Sequence, residues 1–496
     1  MGLTSYDLIV RGGRVVMPDG VRAAEIGIRD GKIAAVAERL DADEDCEVLD
    51  ASGRVVMPGM IDAHVHLNEP GLGAWEGFVS GSAALAAGGC TTCIDMPLNG
   101  VPPTVNLPAL QAKLEAAQGR SYTDFALWGG LVPGNRAQLR GLQEAGCVGF
   151  KAFMSEPGGE GEEVFARADD VTLLEGMREI ASLGGVLALH AESEMIVSKL
   201  AAASVEAGKT GAMDYAASRP VIAETEAVAR ALFYAEQTGC ALHFVHISSP
   251  AAVALIAAAK LRGLDVTVET CPHYLVLEAG DMETIGKRAK CAPPLRGPSE
   301  REGLWQALRD GGLDLVASDH SPCPPELKLS ADWFEVWGGI SGAQSSLELL
   351  VDEGHLKRGI PLERIAAVLS EGPARRFGLY GRKGCIAEGF DADLALVDLE
   401  KGYILTEELL LDRHRQSPYT GRAFGCRVAA TLVRGRVVYR AEEGISGEPA
   451  GVWVRPQVRG GSEAAAETTA DAASGAVSGA AAEAAAARDE RTGEAD

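Results

Sequence analysis

Histidine is scarce in this chain, with 9 among 496 residues, and aromatic residues make up only 5%. Positive charge is outweighed: 46 Lys and Arg stand against 70 Asp and Glu, a formal net charge of −24. A surface of that sign repels nucleic-acid phosphates and anionic membranes, so neither is expected as a partner. There is no run of about 18 apolar residues, so no membrane-spanning helix is expected. "MGLTSYDLIV" lacks a basic segment before an apolar core, and Tyr6 stands where a myristoylation signal needs Ser or Thr. The 10 cysteines are irregularly spaced, which suggests reduced thiols and a cytoplasmic location. No Gly-x-Gly-x-x-Gly opens a helix after the first barrel strand, which argues against a dinucleotide site.

What is present divides into three parts. Residues 457–496 are rich in Ala and acidic residues and hold almost no large apolar side chain. Such a segment buries too little to offset the entropy of ordering it, and a disordered tail is expected. Residues 1–57 and 384–456 share a texture of short β-rich runs broken by Gly. Asp30-Gly31 marks a tight hairpin. Val433-Arg434-Gly435-Arg436-Val437 echoes Val10-Arg11-Gly12-Gly13-Arg14-Val15. One small β-sandwich domain built from both termini follows from this. Residues 58–383 alternate apolar strands with alanine-rich helices. The strand candidates are 61–67, 90–96, 124–129, 148–153, 186–190, 241–247, 265–269 and 313–318. Helical stretches include 76–87, 108–117, 224–237 and 250–260. Eight such repeats predict a (β/α)8 barrel, with a doubly wound sheet as the alternative.

Barrel active sites lie at the C-terminal ends of the strands. The first strand carries His64 and His66, two apart and therefore on one face. The fourth buries Lys151 among apolar neighbours. The fifth, sixth and eighth end on His190, His246 and Asp319. His243 is expected on the opposite face, as a structural residue. Cys90 and Cys93, in the second strand, read as core thiols, and no role is assigned to Cys323.

Imidazole and carboxylate suit Zn²⁺ and related divalent ions. Four His and one Asp exceed what one catalytic ion with an open position takes, and two ions would use them all. A binuclear pair needs an anionic bridge, which Lys151 supplies if CO₂ adds to its amine as a carbamate. Apolar surroundings favour the neutral amine that this reaction requires. Two ions then activate a water between them, and Asp319 is placed to move its proton.

The stretches "PGMIDAHVHLNEPG", "GFKAFM", "LALHAES", "HFVHISSP" and "SDHSPCPPE" resemble the cyclic amidohydrolases of the amidohydrolase superfamily. Within that group the chain looks most like the allantoinases, from about residue 5 to 455. The resemblance implies a barrel with a β-sandwich. It also implies a binuclear centre of His64, His66, carboxylated Lys151 (N6-carboxylysine), His190, His246 and Asp319. The metal is expected to be Zn, with Co, Mn, Fe or Ni also compatible. The implied reaction is hydrolytic ring opening of allantoin to allantoate in a cytoplasmic homotetramer, without a redox cofactor.

Dihydroorotases of this group usually place Arg where Asn68 stands, to pair with a substrate carboxylate. Hydantoinases and dihydropyrimidinases usually carry Tyr five residues after the bridging Lys, where this chain has Glu156. Residues 95–99, 319–326 and 337–340 match allantoinase patterns. Asn68, Asn99 and Ser321 become candidates for substrate contact, as does the backbone at Ala292, where allantoinases commonly have Ser. A hydantoinase-like enzyme is the alternative reading. A non-catalytic scaffold is weaker, because such scaffolds typically lack several ligands. Asp62 is expected to orient the first strand or one of its histidines.

Overall fold

The computed structural model describes residues 5–158 and 165–457. The expected tail lies outside the described residues. Eight strands run in chain order around a barrel: β1 (Met60–Val65), β2 (Cys90–Asp95), β3 (Asp124–Leu127, continued by Gly129–Gly130), β4 (Phe150–Phe153), β5 (Val186–His190), β6 (Ala241–Phe244), β7 (Val266–Thr270) and β8 (Leu315–Val316). Each is parallel to the next. Closure comes from a parallel bridge between Val65 and His320, where His66 N donates to His320 O at 2.8 Å. This return to β1 separates a barrel from a doubly wound sheet. Nearly every strand residue is buried, as a parallel sheet covered on its outer face requires.

Helices follow the strands, and their starts are written in the sequence. Asn106 accepts from Ala109 N at 2.9 Å and Asp169 from Thr172 N at 2.8 Å, each satisfying an otherwise orphaned donor of a first turn. Ser249 does the same for Ala252 N, with Pro250 at the first helical position.

Two strands stop earlier than the sequence suggests. β6 ends at Phe244 and β8 at Val316, so His246 and Asp319 are not strand-terminal residues but lie beyond the strand ends. Both have positive φ, 39° and 47°. This sparsely populated backbone turns each side chain toward the barrel mouth, and it recurs at functional sites.

The second layer is a β-sandwich. Its larger sheet runs Gly444–Ile445, Arg436–Arg440, Arg427–Val433, Leu394–Asp398, Arg54–Pro58, Arg14–Met17, Gly20–Ala23. Leu394–Asp398 pairs antiparallel with Arg54–Pro58, so strands from the two ends of the chain are direct neighbours. The smaller sheet holds Lys32–Ala37, Glu25–Arg29, Leu8–Arg11 and Glu47–Asp50. Its hairpin turns at Asp30 and Gly31, both with positive φ, as a two-residue turn of this kind demands. The runs on either side of Gly12-Gly13 enter different sheets. Ile26, Ile28, Leu394, Leu396 and Leu432 fill the space between the sheets.

A buried ion cluster joins sandwich to barrel. Lys383 Nζ lies 2.6 Å from Asp124 Oδ2 at the start of β3 and 2.6 Å from Asp393 Oδ2. Asp391 is 3.1 Å away. Burial opposes the ammonium charge, but the three carboxylates outweigh it and hold the Lys383 pKa above its usual value. Removing one partner of a buried ion pair strands the others. Lys383→Met should therefore cost about 3–5 kcal/mol in chemical denaturation, and a loss under about 1 kcal/mol would show that the cluster contributes little.

Candidate metal centre and active site

The barrel mouth opens into a cavity of about 370 Å³. His64, His66, His190, His246 and Asp319 line it. His64, at the end of β1, points Nε2 toward Asp319 Oδ1 at 3.1 Å, and His66 Nε2 lies 3.3 Å from the same oxygen. Ligand atoms of His64, His66 and Asp319 all fall within 4.8 Å of one another, a spacing suited to one cation. Across the mouth His190 Nδ1 lies 3.0 Å from His246 Nε2. The His64 and His246 rings are 5.5 Å apart, which links the two groups.

Lys151 sits in β4 with no solvent exposure, and its Nζ has no hydrogen-bond partner among the described residues. Nζ lies 5.0 Å from the ring of Phe153, which in turn stacks on His190 at 4.7 Å. Burial pushes the Lys151 pKa down to about 8, against the pull of Asp319 and Glu269. A buried amine with no acceptor is costly as an ammonium and is poised to react as a neutral nucleophile.

Burial also lowers the pKa values of His66, His190 and His246, the last further through the neighbouring His190 and Lys151. Neutral imidazole is the form that ligates metal. Asp319 is held far below the usual carboxylate range: burial acts the other way, but His64, His66 and His246 together prevail. Four imidazoles, one ionised carboxylate and an amine without a partner among the described residues form a donor set that fits two divalent cations.

Several partners of these groups were not visible in the sequence. Glu269, in β7, accepts from His64 Nδ1 at 2.9 Å and from His246 N at 3.2 Å. Its other oxygen meets His243 Nε2 at 3.2 Å. His243 is thus a structural residue off the cavity lining, as expected, yet it braces the site through Glu269. Glu192 holds His190 Nε2 at 2.9 Å and is itself paired with Arg219. Asp62 accepts from Ser318 N at 3.0 Å and His64 N at 3.4 Å, so it ties β1 to the end of β8.

The candidate substrate contacts divide. Asn99, Ala292 and Ser321 line the cavity. Asn99 also contacts His66, with Nδ2 3.3 Å from its Nδ1. Asn68 is different: it is buried in left-handed backbone at φ 62°, donates to Pro322 O at 3.4 Å and is not among the lining residues. The backbone turns at Asn68 itself, which directs that side chain toward the loop that follows β8. Glu156 is at the rim, where it meets Arg167 at 3.0 Å. Cys90 and Cys93 are buried free thiols whose pKa burial raises.

A sequence profile described as the Amidohydrolase family matches residues 55–438. The chain belongs to the amidohydrolase family. An allantoinase from Rubrobacter xylanophilus is 52% identical to it, over 92% of this chain and 99% of the relative. An allantoinase from Deinococcus radiodurans is 49% identical over 91% and 99%. Among solved structures, the L-hydantoinase (dihydropyrimidinase) of Arthrobacter aurescens overlays with a TM-score of 0.87 at 37% identity, over 91% of this chain and 100% of that one. These relatives place the chain among enzymes that hydrolyse cyclic amides.

In this amidohydrolase Glu269 fixes which nitrogen His64 presents to the cavity. Partners of this kind are worth roughly 10–100-fold in metal affinity. Glu269→Gln should weaken Zn²⁺ binding, measured by chelator competition, by that factor. Wild-type affinity in the variant would remove Glu269 from the metal centre.

Proposed function

We propose that the chain opens the hydantoin ring of allantoin by hydrolysis to give allantoate. The observation that carries this reading is the 42–52% identity to allantoinases over about nine-tenths of the chain. Position 68 holds Asn rather than an Arg that would pair a substrate carboxylate, which allantoin lacks, although Asn68 itself lies off the cavity lining. His64 and His66 would hold one divalent ion, His190 and His246 the other, with Asp319 on the His64 side. Zn²⁺ suits this set, and Co²⁺, Mn²⁺, Fe²⁺ and Ni²⁺ are compatible. When bound, the two ions supply Lewis acidity and lower the pKa of water at the site.

This chain's own residues do the rest. Lys151 Nζ would add its lone pair to the carbon of CO₂ and release a proton, and the resulting carbamate would offer two oxygens that share one negative charge. Asp319, ionised and within 3.3 Å of both His64 and His66, accepts the proton of the attacking water. The ring carbonyl carbon gains the water oxygen, its bond to the ring nitrogen breaks, and Asp319 passes the proton to that nitrogen. Asn99, Ser321 and the backbone at Ala292 border the space the ureide would occupy.

We propose a homotetramer, and apolar side chains left exposed on three consecutive helices, Glu194–Glu206, Ala212–Ser218 and Val221–Thr238, offer surface for a contact between copies. Met195, Met213, Ile222 and Phe233 are all at the surface, and the first helix buries only Val197. Exposed apolar surface of this kind marks subunit contacts. We read the enzyme as cytoplasmic, with neither nucleic acid nor membrane as a partner. No helix among the described residues is long and apolar enough to cross a membrane.

Purified enzyme should convert allantoin to allantoate in a metal-dependent way, with close to two ions per chain by elemental analysis. Turnover of hydantoin or dihydrouracil without turnover of allantoin would favour the hydantoinase alternative instead. Lys151→Ala should leave only background activity, partly restored by short-chain carboxylic acids standing in for the carbamate. Full activity in that variant would refute the bridging role.

A further inference from the structure

We propose that Lys290 and Lys328 are positioning residues that fix the outer wall of the cavity and so limit the size of the ring substituent it accepts. The inference rests on the reading of the site as a cyclic-ureide hydrolase. Leu327, Phe334, Val336, Trp337 and Gly339 face the cavity from one segment. From residue 329 to 339 that segment has no helix or strand. Its carbonyls therefore lack the partners that regular structure would provide, and they must find donors elsewhere.

Two lysines supply them. Lys328 Nζ donates to Trp337 O at 2.9 Å and Gly339 O at 2.8 Å, and also to Lys287 O at 3.2 Å. Lys290 Nζ donates to Trp333 O and Val336 O. The backbone repeats the contact, since Gly339 N donates to Lys290 O at 2.9 Å. Lys290 Nζ also lies 4.5 Å from the ring of Tyr215, another residue of the cavity lining. Neither ammonium pairs with a carboxylate among the described residues. Burial, with the charges of Lys328 and Arg219, pushes Lys290 down to about 7, and burial pushes Lys328 down to about 8. A packing role alone would be met by Met or Leu without that desolvation cost. What an ammonium adds is three donors at one point.

The placement ties the clamp to recognition rather than to bond breaking. Lys290 lines the cavity together with Cys291 and Ala292, with its donors turned to the wall's carbonyls, and Lys328 follows Leu327, which lines it too. Neither lysine bonds to a histidine of the rim or to Asp319. Trp337, held by its carbonyl, packs edge-on against Trp75 at 4.8 Å, so the wall is anchored on both sides.

The test uses metal-loaded Lys290→Met and Lys328→Met enzyme. Lys290→Met removes two donated bonds and Lys328→Met three. A loosened wall that forfeits binding worth about one charge-assisted hydrogen bond predicts that KM for allantoin rises roughly tenfold. Because the clamp acts on binding, kcat should stay within about twofold and metal content should not change. Discrimination against hydantoins with bulky 5-substituents should narrow. Chymotrypsin should cut the variants between residues 329 and 339, mapped by mass spectrometry, where wild type resists. Lys328→Arg, which keeps the donors, should recover KM.

Wild-type KM and protease resistance in both variants would overturn the proposal. So would a fall in kcat matched by loss of metal. Lys290 is the more deeply buried, so if its variant does not fold, the half-buried Lys328 carries the test alone. If wild type opens other cyclic amides but not allantoin, the proposed substrate is wrong. The clamp is then judged by the same KM and kcat split on the substrate that turns over, and by the protease map.

Discussion

One oxygen of Glu269 accepts from two strands at once, from the ring of His64 in β1 and from the main-chain N–H of His246 beyond β6. Its partner oxygen takes a third contact, from His243. β1, β6 and β7 therefore share one buried carboxylate at the level where the site begins. The contact fixes the His64 tautomer, because an Nδ1–H committed to Glu269 leaves Nε2 facing Asp319. It also stabilises the strained φ of His246, which aims that ring at His190. Burial opposes ionisation of Glu269, yet His64 and His243 bring its pKa down to about 2. The carboxylate is thus a fixed negative charge over the whole physiological pH range.

The other histidines are oriented by the same principle with different chemistry. Glu192, itself held by Arg219, sets His190, and a side-chain amide at Asn99 contacts His66. The nitrogen of His246 away from His190 has no such partner among the described residues. Its orientation comes from the main chain alone, through Glu269. Three oriented rings and one ring placed by backbone strain give a site formed before any ligand arrives. Such preorganisation lets a rigid scaffold hold reacting groups in productive geometry.

The barrel strands were legible because a parallel sheet buried on both faces leaves continuous apolar runs, and those runs are short enough to count. His64 and His66 were legible because strand periodicity is two. Glu269 and Glu192 were not, since a single acid beside a strand end carries no local signal, and the partner of Glu269 lies 205 residues away. Asn68 was misjudged for a related reason. Its position beside two histidines suggested a side chain at the site, but a loop that turns through left-handed backbone reverses the strand alternation. The strand limits at His246 and Asp319 failed in the same way: apolar pattern predicts pairing, and these two residues leave the ladder in order to face inward.

Lysine burial ties these points together, because equal burial gives different outcomes according to the partner. Lys383 and Lys113 are enclosed with carboxylates, and they hold the protein together: Lys383 joins sandwich to barrel, and Lys113 braces Asp95 at the end of β2. Lys290 is enclosed with carbonyls. It keeps a weakened charge and spends its donors on the shape of a loop. Lys151 is enclosed with an aromatic ring and, among the described residues, no acceptor. An ammonium there has no hydrogen bond among the described residues to offset its desolvation, and burial outweighs the pull of Asp319 and Glu269. Burial shifts both Lys290 and Lys151 toward the free amine, but the donors of Lys290 are taken up by two carbonyls, whereas Lys151 Nζ has no partner among the described residues. A free amine facing imidazoles can become anionic only by adding a group that carries charge. The reactivity proposed for Lys151 rests on what surrounds it, while the donors of Lys383, Lys113 and Lys290 are already committed to carboxylates or carbonyls.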